Sequence, residues 1–265
     1  MELCSIASGS SGNCIFVGTD NSSVLVDVGI TNKRAVEGLH SIGRKPEELD
    51  AVLITHEHSD HIRGLGVFAR KYHIPVYASP GTIRAMLDGN LLGKVDPDLF
   101  HEIRPDEMIR ISDFEVKSFR VSHDAAEPVA YRLEAGGKAA AIATDMGCYD
   151  TYTVNHLMGL DLALIESNHD INMLQVGTYP YYLKRRILGD HGHLCNESAG
   201  RLISEILHDG LKHIFLGHLS KENNYEALAY ATVCSEITMG DCPYRGDDFN
   251  IEIAKRDMPS ELVHA

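Results

Sequence analysis

The sequence predicts an α/β protein in which helices cover β-sheets. Strand-like and helix-like segments alternate along the chain, and several early strands look like antiparallel hairpins joined by Gly, Ser and Asn turns. A chain of 265 residues with 44% apolar content can also bury a large core. No Pro- or Ser-rich linker and no internal repeat divides it, so we expect a single domain over residues 1–265.

The individual elements follow from short-range patterns. Apolar, β-rich segments bounded by turn residues predict strands, and apolar residues at helical spacing predict helices. The expected strands cover about residues 3–7, 14–18, 23–28, 51–54, 108–111, 114–121, 129–133, 138–144, 162–166, 213–217 and 249–253, with a further piece near residue 76. The expected helices cover about residues 32–42, 62–72, 151–158 and 197–208.

Composition limits the cellular setting and the partners. Six cysteines form no CxxC pair, and a chain of this size does not need disulfides, so we expect reduced thiols in the cytoplasm. The apolar runs are too short to span a membrane, and no basic region precedes the first strand. A formal charge of -14 restricts any nucleic-acid contact to a local surface or to bound cations. Nothing indicates an obligate protein partner.

The histidines carry the strongest functional signal. The chain has 15 of them, and three stand in the segment HEHSDH at residues 56–61, directly after a predicted strand. Side chains alternate along an extended segment, so His56 and His58 point the same way, whereas Asp60 and His61 follow as the chain turns into a helix. One loop can therefore feed two metal ions, and imidazole with carboxylate suits Zn²⁺, Mn²⁺ or Fe²⁺.

Four side chains on one loop cannot complete two coordination shells. His123, Asp145 and His218 each follow an apolar strand, where a β-scaffold presents functional side chains at one edge, and they are the candidates for the remaining ligands. The alternatives are a solvated loop with three surface histidines and, for any single later residue, an ordinary hydrogen-bonded side chain. The zincin pattern HExxH is absent, since the fourth residue after His56 is Asp60.

The segment HEHSDH resembles the HxHxDH signature of the metallo-β-lactamase superfamily. The resemblance covers nearly the whole chain and implies a four-layer αβ/βα sandwich, with two mixed sheets packed face to face and helices outside. It also implies that Asp27 supports the histidine loop. The implied ligands are His56, His58 and His123 for a first metal, Asp60, His61 and His218 for a second, and Asp145 as a bridge between them.

Finer features are similar to the WalJ (also YycJ) family, which implies a 5′ to 3′ DNA exonuclease. They are the opening SIASGSSGN at residues 5–13, ESNHD at residues 166–170, and GHLCN at residues 192–196 ahead of LGHLS at residues 216–220. Cys195 departs from this pattern, because a serine is expected there.

The ligand set leads to a hypothesis for the chemistry. A hydroxide shared by two metal ions would attack a phosphodiester, with Asp60 and Asp145 helping to orient it. His193 would protonate the departing oxygen, because histidine titrates near neutrality and related phosphodiesterases of this fold carry one in a similar Gly-His segment. Alternatively, His193 caps the following helix or fills a polar turn.

Several other residues have two interpretations each. His169 either supports a ligand or contacts phosphate, or it makes a structural hydrogen bond. The backbone around Ser10 and Asn13 either lines a phosphate site or forms a plain tight turn. The cluster from Lys184 to Arg186 either guides a DNA backbone or forms a solvated helix face.

Other functions compete with the exonuclease hypothesis. Hydrolases of a thioester, a lactone or a small cyclic phosphodiester use the same kind of scaffold. A flavodiiron-type redox role is disfavoured, because such sites place a carboxylate where His58 stands. A metal-stabilised domain that only binds nucleic acid or protein is also disfavoured, since a structural site would be closed and would need no spare acid such as His193.

Overall fold

The computed structural model describes residues 1–265 and contains two seven-stranded sheets. The first sheet has the order β14-β1-β2-β3-β4-β5-β6, and the second has the order β13-β12-β11-β10-β9-β8-β7. The strands are β1 (Glu2–Ala7), β2 (Cys14–Gly18), β3 (Ser23–Val26), β4 (Ala51–Ile54), β5 (Val76–Ala78), β6 (Phe100–Glu102), β7 (Met108–Ile111), β8 (Phe114–Arg120), β9 (Val129–Ala135), β10 (Lys138–Ala143), β11 (Leu162–Glu166), β12 (His213–Gly217), β13 (Ile251–Ile253) and β14 (Val263–His264).

Nine α-helices connect or flank these strands. They are α1 (Asn32–Ser41), α2 (Ser59–Ile62), α3 (Leu65–Tyr72), α4 (Pro80–Asp88), α5 (Thr151–Leu157), α6 (Ile171–Val176), α7 (Tyr181–Leu188), α8 (Asn196–Ile206) and α9 (Glu226–Met239). Short 3-10 turns occur at Pro46–Glu48, Pro97–Leu99 and Gly246–Asp248. No helix combines the length and the apolar content needed to cross a membrane.

Three apolar clusters define four layers. One cluster lies between the sheets and includes Leu53 of β4 and Leu164 of β11. A second packs the outer face of the first sheet against α1, α3 and α4, and a third packs the outer face of the second sheet against α5, α8 and α9. Because both faces of the central strands are buried, those strands read as continuous apolar runs in the sequence. The expected four-layer sandwich is confirmed.

The two sheets share one plan although the sequence shows no repeat. In each sheet an antiparallel group of strands is followed by a parallel group: β3 to β6 are parallel in the first sheet, and β10 to β13 are parallel in the second. In open parallel sheets, functional side chains gather beyond the carboxyl ends of the strands. Both parallel groups therefore present such ends for a site.

Most expected elements are present, and the differences have physical causes. The helix expected at residues 62–72 is two pieces, because α2 begins at Ser59 inside the histidine segment and the chain turns again before Leu65. Helix α4 was missed despite its signals, an N-cap at Ser79 and a proline at Pro80. Strands β6 and β14 and helices α6, α7 and α9 were also missed. β14 has only two residues, and α9 lacks a clear apolar stripe.

A close backbone contact holds the histidine loop against the first sheet. The backbone N-H of Asn13 donates to the carbonyl of Asp60 at 2.8 Å, and that of Val28 donates to the carbonyl of His61 at 2.9 Å. A β-carbon at Gly29 would lie 1.6 Å from the Asp60 carbonyl oxygen. Only glycine therefore fits where the chain after β3 passes under the loop.

We expect Gly29→Ala to destabilise the protein by at least about 3 kcal/mol, because backbone atoms would have to move to accept the methyl group. Thermal unfolding of the purified variant measures this loss. Gly240→Ala is the control, since a β-carbon there meets no atom closer than 3.2 Å. Equal melting temperatures for the two variants would contradict the prediction.

Candidate metal centre

All seven predicted ligands converge at the carboxyl ends of strands from both sheets. The metal-ligating atoms form overlapping groups, and within each group they lie within 4.8 Å of one another. The groups are His56, His58 and His123; His56, His61 and Asp145; Asp60, His61 and His218; and Asp145, Glu166, His193 and His218. Residues as distant in sequence as His56 and His218 thus belong to one cluster.

The first group is His56, His58 and His123. His123 donates from Nδ1 to the carbonyl of Gly192 at 3.0 Å, and its Nε2 lies 3.3 Å from Nδ1 of His58. Nδ1 of His56 lies 3.0 Å from the hydroxyl of Thr55. The contacts with Thr55 and Gly192 occupy Nδ1 of His56 and Nδ1 of His123, so Nε2 of each ring is left for a metal ion.

The second group is Asp60, His61 and His218. Nδ1 of His61 lies 2.7 Å from Asp27, and its Nε2 lies 3.6 Å from Asp60. Nδ1 of His218 lies 3.0 Å from Glu166, and its Nε2 lies 3.3 Å from Asp60. Each imidazole is thus held by a buried carboxylate on one side and presents its other nitrogen to Asp60 on the other side.

Asp145 lies between the two groups. One of its carboxylate oxygens is 3.1 Å from Nε2 of His61, and the other is 3.7 Å from Nε2 of His123. Asp145 is 2% exposed, so its charge is largely shielded from water. This position between the groups is the one that a bridging carboxylate would occupy.

Three residues of the cluster have strained backbone. Asp27 directly follows β3, His218 directly follows β12, and Asp145 follows β10 after one intervening residue. The φ angles of Asp27, Asp145 and His218 are 62°, 59° and 55°. Non-glycine residues rarely adopt this left-handed conformation, which costs about 1 to 3 kcal/mol each. The surrounding packing must therefore hold these turns, and the turns direct the three side chains toward the site.

The residues present fit divalent metal ions. Nε2 of His56 and one carboxylate oxygen of Asp145 are buried and have no hydrogen-bond partner in the protein. A buried polar atom without a partner costs free energy, whereas a cation would satisfy both atoms. Nitrogen and carboxylate donors without a thiolate are typical of Zn²⁺, Mn²⁺ or Fe²⁺ sites.

Electrostatics in the cluster point the same way. Burial raises the pKa of Asp60, but His61 and His218 outweigh it and lower that pKa to about 2. Burial lowers the pKa of His218, but Asp145, Asp60 and Glu166 outweigh it and raise that pKa to about 10. Burial and the neighbouring His61 hold the pKa of His56 well below its ordinary value. The carboxylates therefore attract positive charge that a metal ion can supply in place of protons.

Asp27 supports the histidine loop, in the place that the resemblance implied. It is fully buried, and its two oxygens accept from the backbone N-H and the hydroxyl of Thr55, each at 2.9 Å. The same carboxylate holds His61. Sequence reasoning missed Thr55, although it directly precedes the histidine segment.

Glu166 is the most important residue that sequence reasoning missed. It is fully buried at the end of β11 and accepts from Nδ1 of His193 at 2.8 Å and from Nδ1 of His218 at 3.0 Å. The backbone N-H groups of Met146 and Leu194 also donate to it, at 2.7 and 3.2 Å. The available signal was its place at the start of the motif ESNHD, directly after an apolar strand.

The remaining predicted residues surround the cluster. His169 is buried beside Asn168, which donates to the His218 carbonyl at 2.9 Å, and burial lowers the pKa of His169 to about 4. Asn13 contacts the cluster directly, since its side-chain nitrogen lies 3.1 Å from Nε2 of His61. Ser10 is exposed, and its hydroxyl accepts from Arg256 at 3.4 Å.

The loop containing Ser10 and Asn13 uses much of its own hydrogen-bonding capacity. The backbone N-H of Gly9 donates to the Asn13 side chain at 2.9 Å, and that of Gly12 donates to the Gly9 carbonyl at 2.9 Å. Two of its amides are therefore not available to an anion. In the structure the loop is a tight turn, and Asn13 in it contacts the Asp60 carbonyl and the His61 ring.

A cavity of about 510 Å³ opens beside the cluster. Its lining includes Ser122, His123, Tyr149, Tyr152 and His191. A cavity of this size is typical of sites that take a small organic molecule or part of a larger substrate.

Two mixed sheets in a sandwich, with histidines and aspartates converging at the strand ends, define a metal-dependent hydrolase. The family model of the metallo-beta-lactamase superfamily matches residues 7–147. Exodeoxyribonuclease WalJ of Streptococcus pneumoniae is 42% identical over 258 residues, which are 97% of this chain and 96% of that protein. Exodeoxyribonuclease YycJ of Bacillus anthracis is 40% identical over 98% of this chain and 97% of its own length. The chain therefore belongs to the metallo-β-lactamase superfamily and, within it, to the family of WalJ and YycJ.

A solved structure agrees on the fold. Zn²⁺-bound PqqB from Methylobacterium extorquens matches with a TM-score of 0.71 over 99% of this chain and 100% of its own, at 17% identity. At that identity the likeness concerns the architecture alone.

We expect Asp27→Asn to lower the affinity for divalent metal about 10- to 100-fold, because the amide no longer holds His61 as the carboxylate does. Competition with a chromogenic chelator measures the affinity. Asp106→Asn is a matched control, since Asp106 is an exposed carboxylate that pairs with His156 at 3.1 Å and belongs to none of the metal-ligating groups. Unchanged metal affinity in Asp27→Asn would show that the contact is merely structural.

Proposed function

We propose that the protein is a 5′ to 3′ DNA exonuclease that uses two divalent metal ions, Mn²⁺ or Zn²⁺, to hydrolyse phosphodiester bonds. The observation that carries this proposal is the convergence of seven ligands from both sheets beside His193. The names of the two full-length relatives support DNA as the substrate. We also propose that residues 1–265 act as one domain, because both sheets supply ligands, and that the protein is cytoplasmic, which its six free cysteines support.

The proposed ligands divide as their contacts suggest. One ion would be held by His56, His58 and His123, and the other ion would be held by Asp60, His61 and His218. Asp145 would bind both ions. When bound, the ions supply an activated water and offset negative charge on the phosphate oxygens. Asp60 and Asp145 keep their carboxylates ionised, because the surrounding imidazoles outweigh burial and lower both pKa values. They can therefore accept hydrogen bonds that orient the water.

Protonation of the leaving oxygen is assigned to His193. Its Nδ1 donates to Glu166, which leaves Nε2 to hand over a proton, and its side chain is 16% exposed. Burial by itself raises the pKa of Glu166. The charge of His193 and the hydrogen bonds from His193 and His218 outweigh burial and lower that pKa to about 2. By accepting from Nδ1 of His193, this carboxylate fixes the orientation of the ring that would act as the acid. Glu166 is thus a positioning residue for both His193 and His218.

The proposal predicts that the purified protein, loaded with Mn²⁺ or Zn²⁺, shortens 5′-phosphorylated duplex DNA progressively from the 5′ end. Bis-p-nitrophenyl phosphate and a thioester serve as comparison substrates, because other hydrolases of this fold prefer small molecules. Denaturing gels of DNA labelled at the 3′ end show the shortening. Cleavage of the thioester with no attack on DNA would refute the proposal.

We expect His193→Ala to lower kcat on DNA about 10²- to 10⁴-fold, the usual contribution of general acid catalysis, while metal content stays unchanged. Glu166→Gln should lower kcat less and also weaken metal binding, since Glu166 holds the proposed ligand His218. Metal analysis and steady-state kinetics separate the two effects. His101→Ala, an exposed histidine of β6, is the control. Loss of metal from His193→Ala would make that residue a ligand instead.

A further inference from the structure

One segment near the metal centre is basic in an otherwise acidic chain. Between Asp170 and Asp190 the sequence has no aspartate or glutamate, but it has Lys184, Arg185 and Arg186. The chain as a whole has 38 acidic residues and a formal charge of -14. This segment forms α6 and α7 and gives the surface a local positive charge.

The three cationic side chains of this segment differ in their partners within the protein. Nζ of Lys184 donates to the carbonyls of Gln175 and Gly177, at 2.8 and 2.6 Å, and so joins α7 to the end of α6. Arg186 makes two hydrogen bonds to the carboxylate of Asp124. Arg185 is exposed and has no side-chain partner in the protein, so its charge is available to a ligand.

Apolar and aromatic side chains stand exposed beside Arg185. Tyr181 is 76% exposed, Tyr182 is 75% exposed, and Val176 at the end of α6 is 86% exposed. Tyr181 and Arg185 are four residues apart on α7, so they lie on the same face of the helix. We call Val176, Tyr181, Tyr182 and Arg185 the α7 ridge.

Helix α7, which carries three residues of the α7 ridge, borders the metal centre through Arg186 and Ile187. Asp124, which binds Arg186, has an oxygen 3.5 Å from Nε2 of His123. At the C-terminal end of α7, the carbonyl of Ile187 accepts a hydrogen bond from the backbone N-H of His193 at 3.0 Å. The C-terminal half of α7 therefore lies beside the metal centre, and the exposed ridge residues stand on the same helix.

We propose that the α7 ridge binds a single strand of DNA next to the bond being cut, with bases stacked on Tyr181 and Tyr182 and a phosphate on Arg185. This inference rests on the proposed function. Exposed aromatic rings interleaved with cations are the usual platform for single strands, because every base has a face that stacks. A symmetric dimer through the ridge would set this segment of one copy against the same segment of the other, with no carboxylate of residues 171–189 to pair with Arg185, which disfavours a second copy as the occupant.

The first test measures binding to a single-stranded oligonucleotide of about 12 nucleotides, within the usual range of site sizes. Its first linkages are phosphorothioates, which slow cleavage, and fluorescence anisotropy reports the Kd with metal-loaded protein. Tyr181→Ala and Tyr182→Ala should each raise Kd at least about fivefold, while metal content and melting temperature stay at the parent values. Tyr230→Ala, an exposed tyrosine of α9, should leave Kd unchanged.

The second test measures the salt dependence of the same binding. Removing one phosphate contact from a single strand reduces the slope of log K against log salt by about 0.7. Arg185→Ala should show this reduction, whereas Arg185→Lys should keep the slope because it keeps the charge. Arg110→Ala, an exposed arginine of β7, should keep the parent slope.

Failure of the inference is distinguishable from failure of the proposed function. If the parent degrades DNA but the ridge variants bind the oligonucleotide as tightly as the parent, the ridge does not bind the strand. If sedimentation shows a dimer that Tyr181→Ala and Tyr182→Ala both abolish, the ridge is a subunit interface. If the parent degrades no DNA, the exonuclease proposal itself is wrong.

Discussion

The centre depends on buried carboxylates that each hold imidazoles from behind. Asp27 holds His61, and Glu166 holds both His193 and His218. Because Nδ1 of each ring is occupied, Nε2 of each ring points into the site, which a ligand or an acid requires. The carboxylates are fully buried, so their charge is stabilised by these imidazoles, by backbone N-H groups and, for Asp27, by the hydroxyl of Thr55. The same hydrogen bonds therefore orient the rings and stabilise the buried carboxylates.

The fold brings these groups together at a cost in backbone strain. Three site residues adopt left-handed conformations where strands end, and the chain after β3 passes so close to the histidine loop that only glycine fits at residue 29. Packing of both sheets into a shared core supplies the free energy that maintains these turns. The packing between the sheets therefore holds the strained turns, and the turns hold the site residues in place.

The charge distribution reconciles an acidic chain with a polyanionic substrate. Much of the acidic charge near the centre is neutralised by imidazoles, as the lowered pKa values of Asp60 and Glu166 show. Divalent ions would add positive charge where a phosphate must come closest. Beside the centre, the segment that forms α6 and α7 contains no acidic residue, and Arg185 in it has no partner in the protein. Net charge alone would have hidden this local pattern.

The α/β class and all seven ligand candidates could be predicted from the amino-acid order alone. Strand ends can be recognised from apolar runs, and His123, Asp145 and His218 each follow such a run. Glu166 could not be assigned in this way, because its partners His193 and His218 are 27 and 52 positions away and only packing brings them to it. Likewise, only the tertiary structure showed that Lys184 and Arg186 are bound within the protein while Arg185 is free. Local patterns predict most elements, whereas contacts between distant residues depend on how the layers pack.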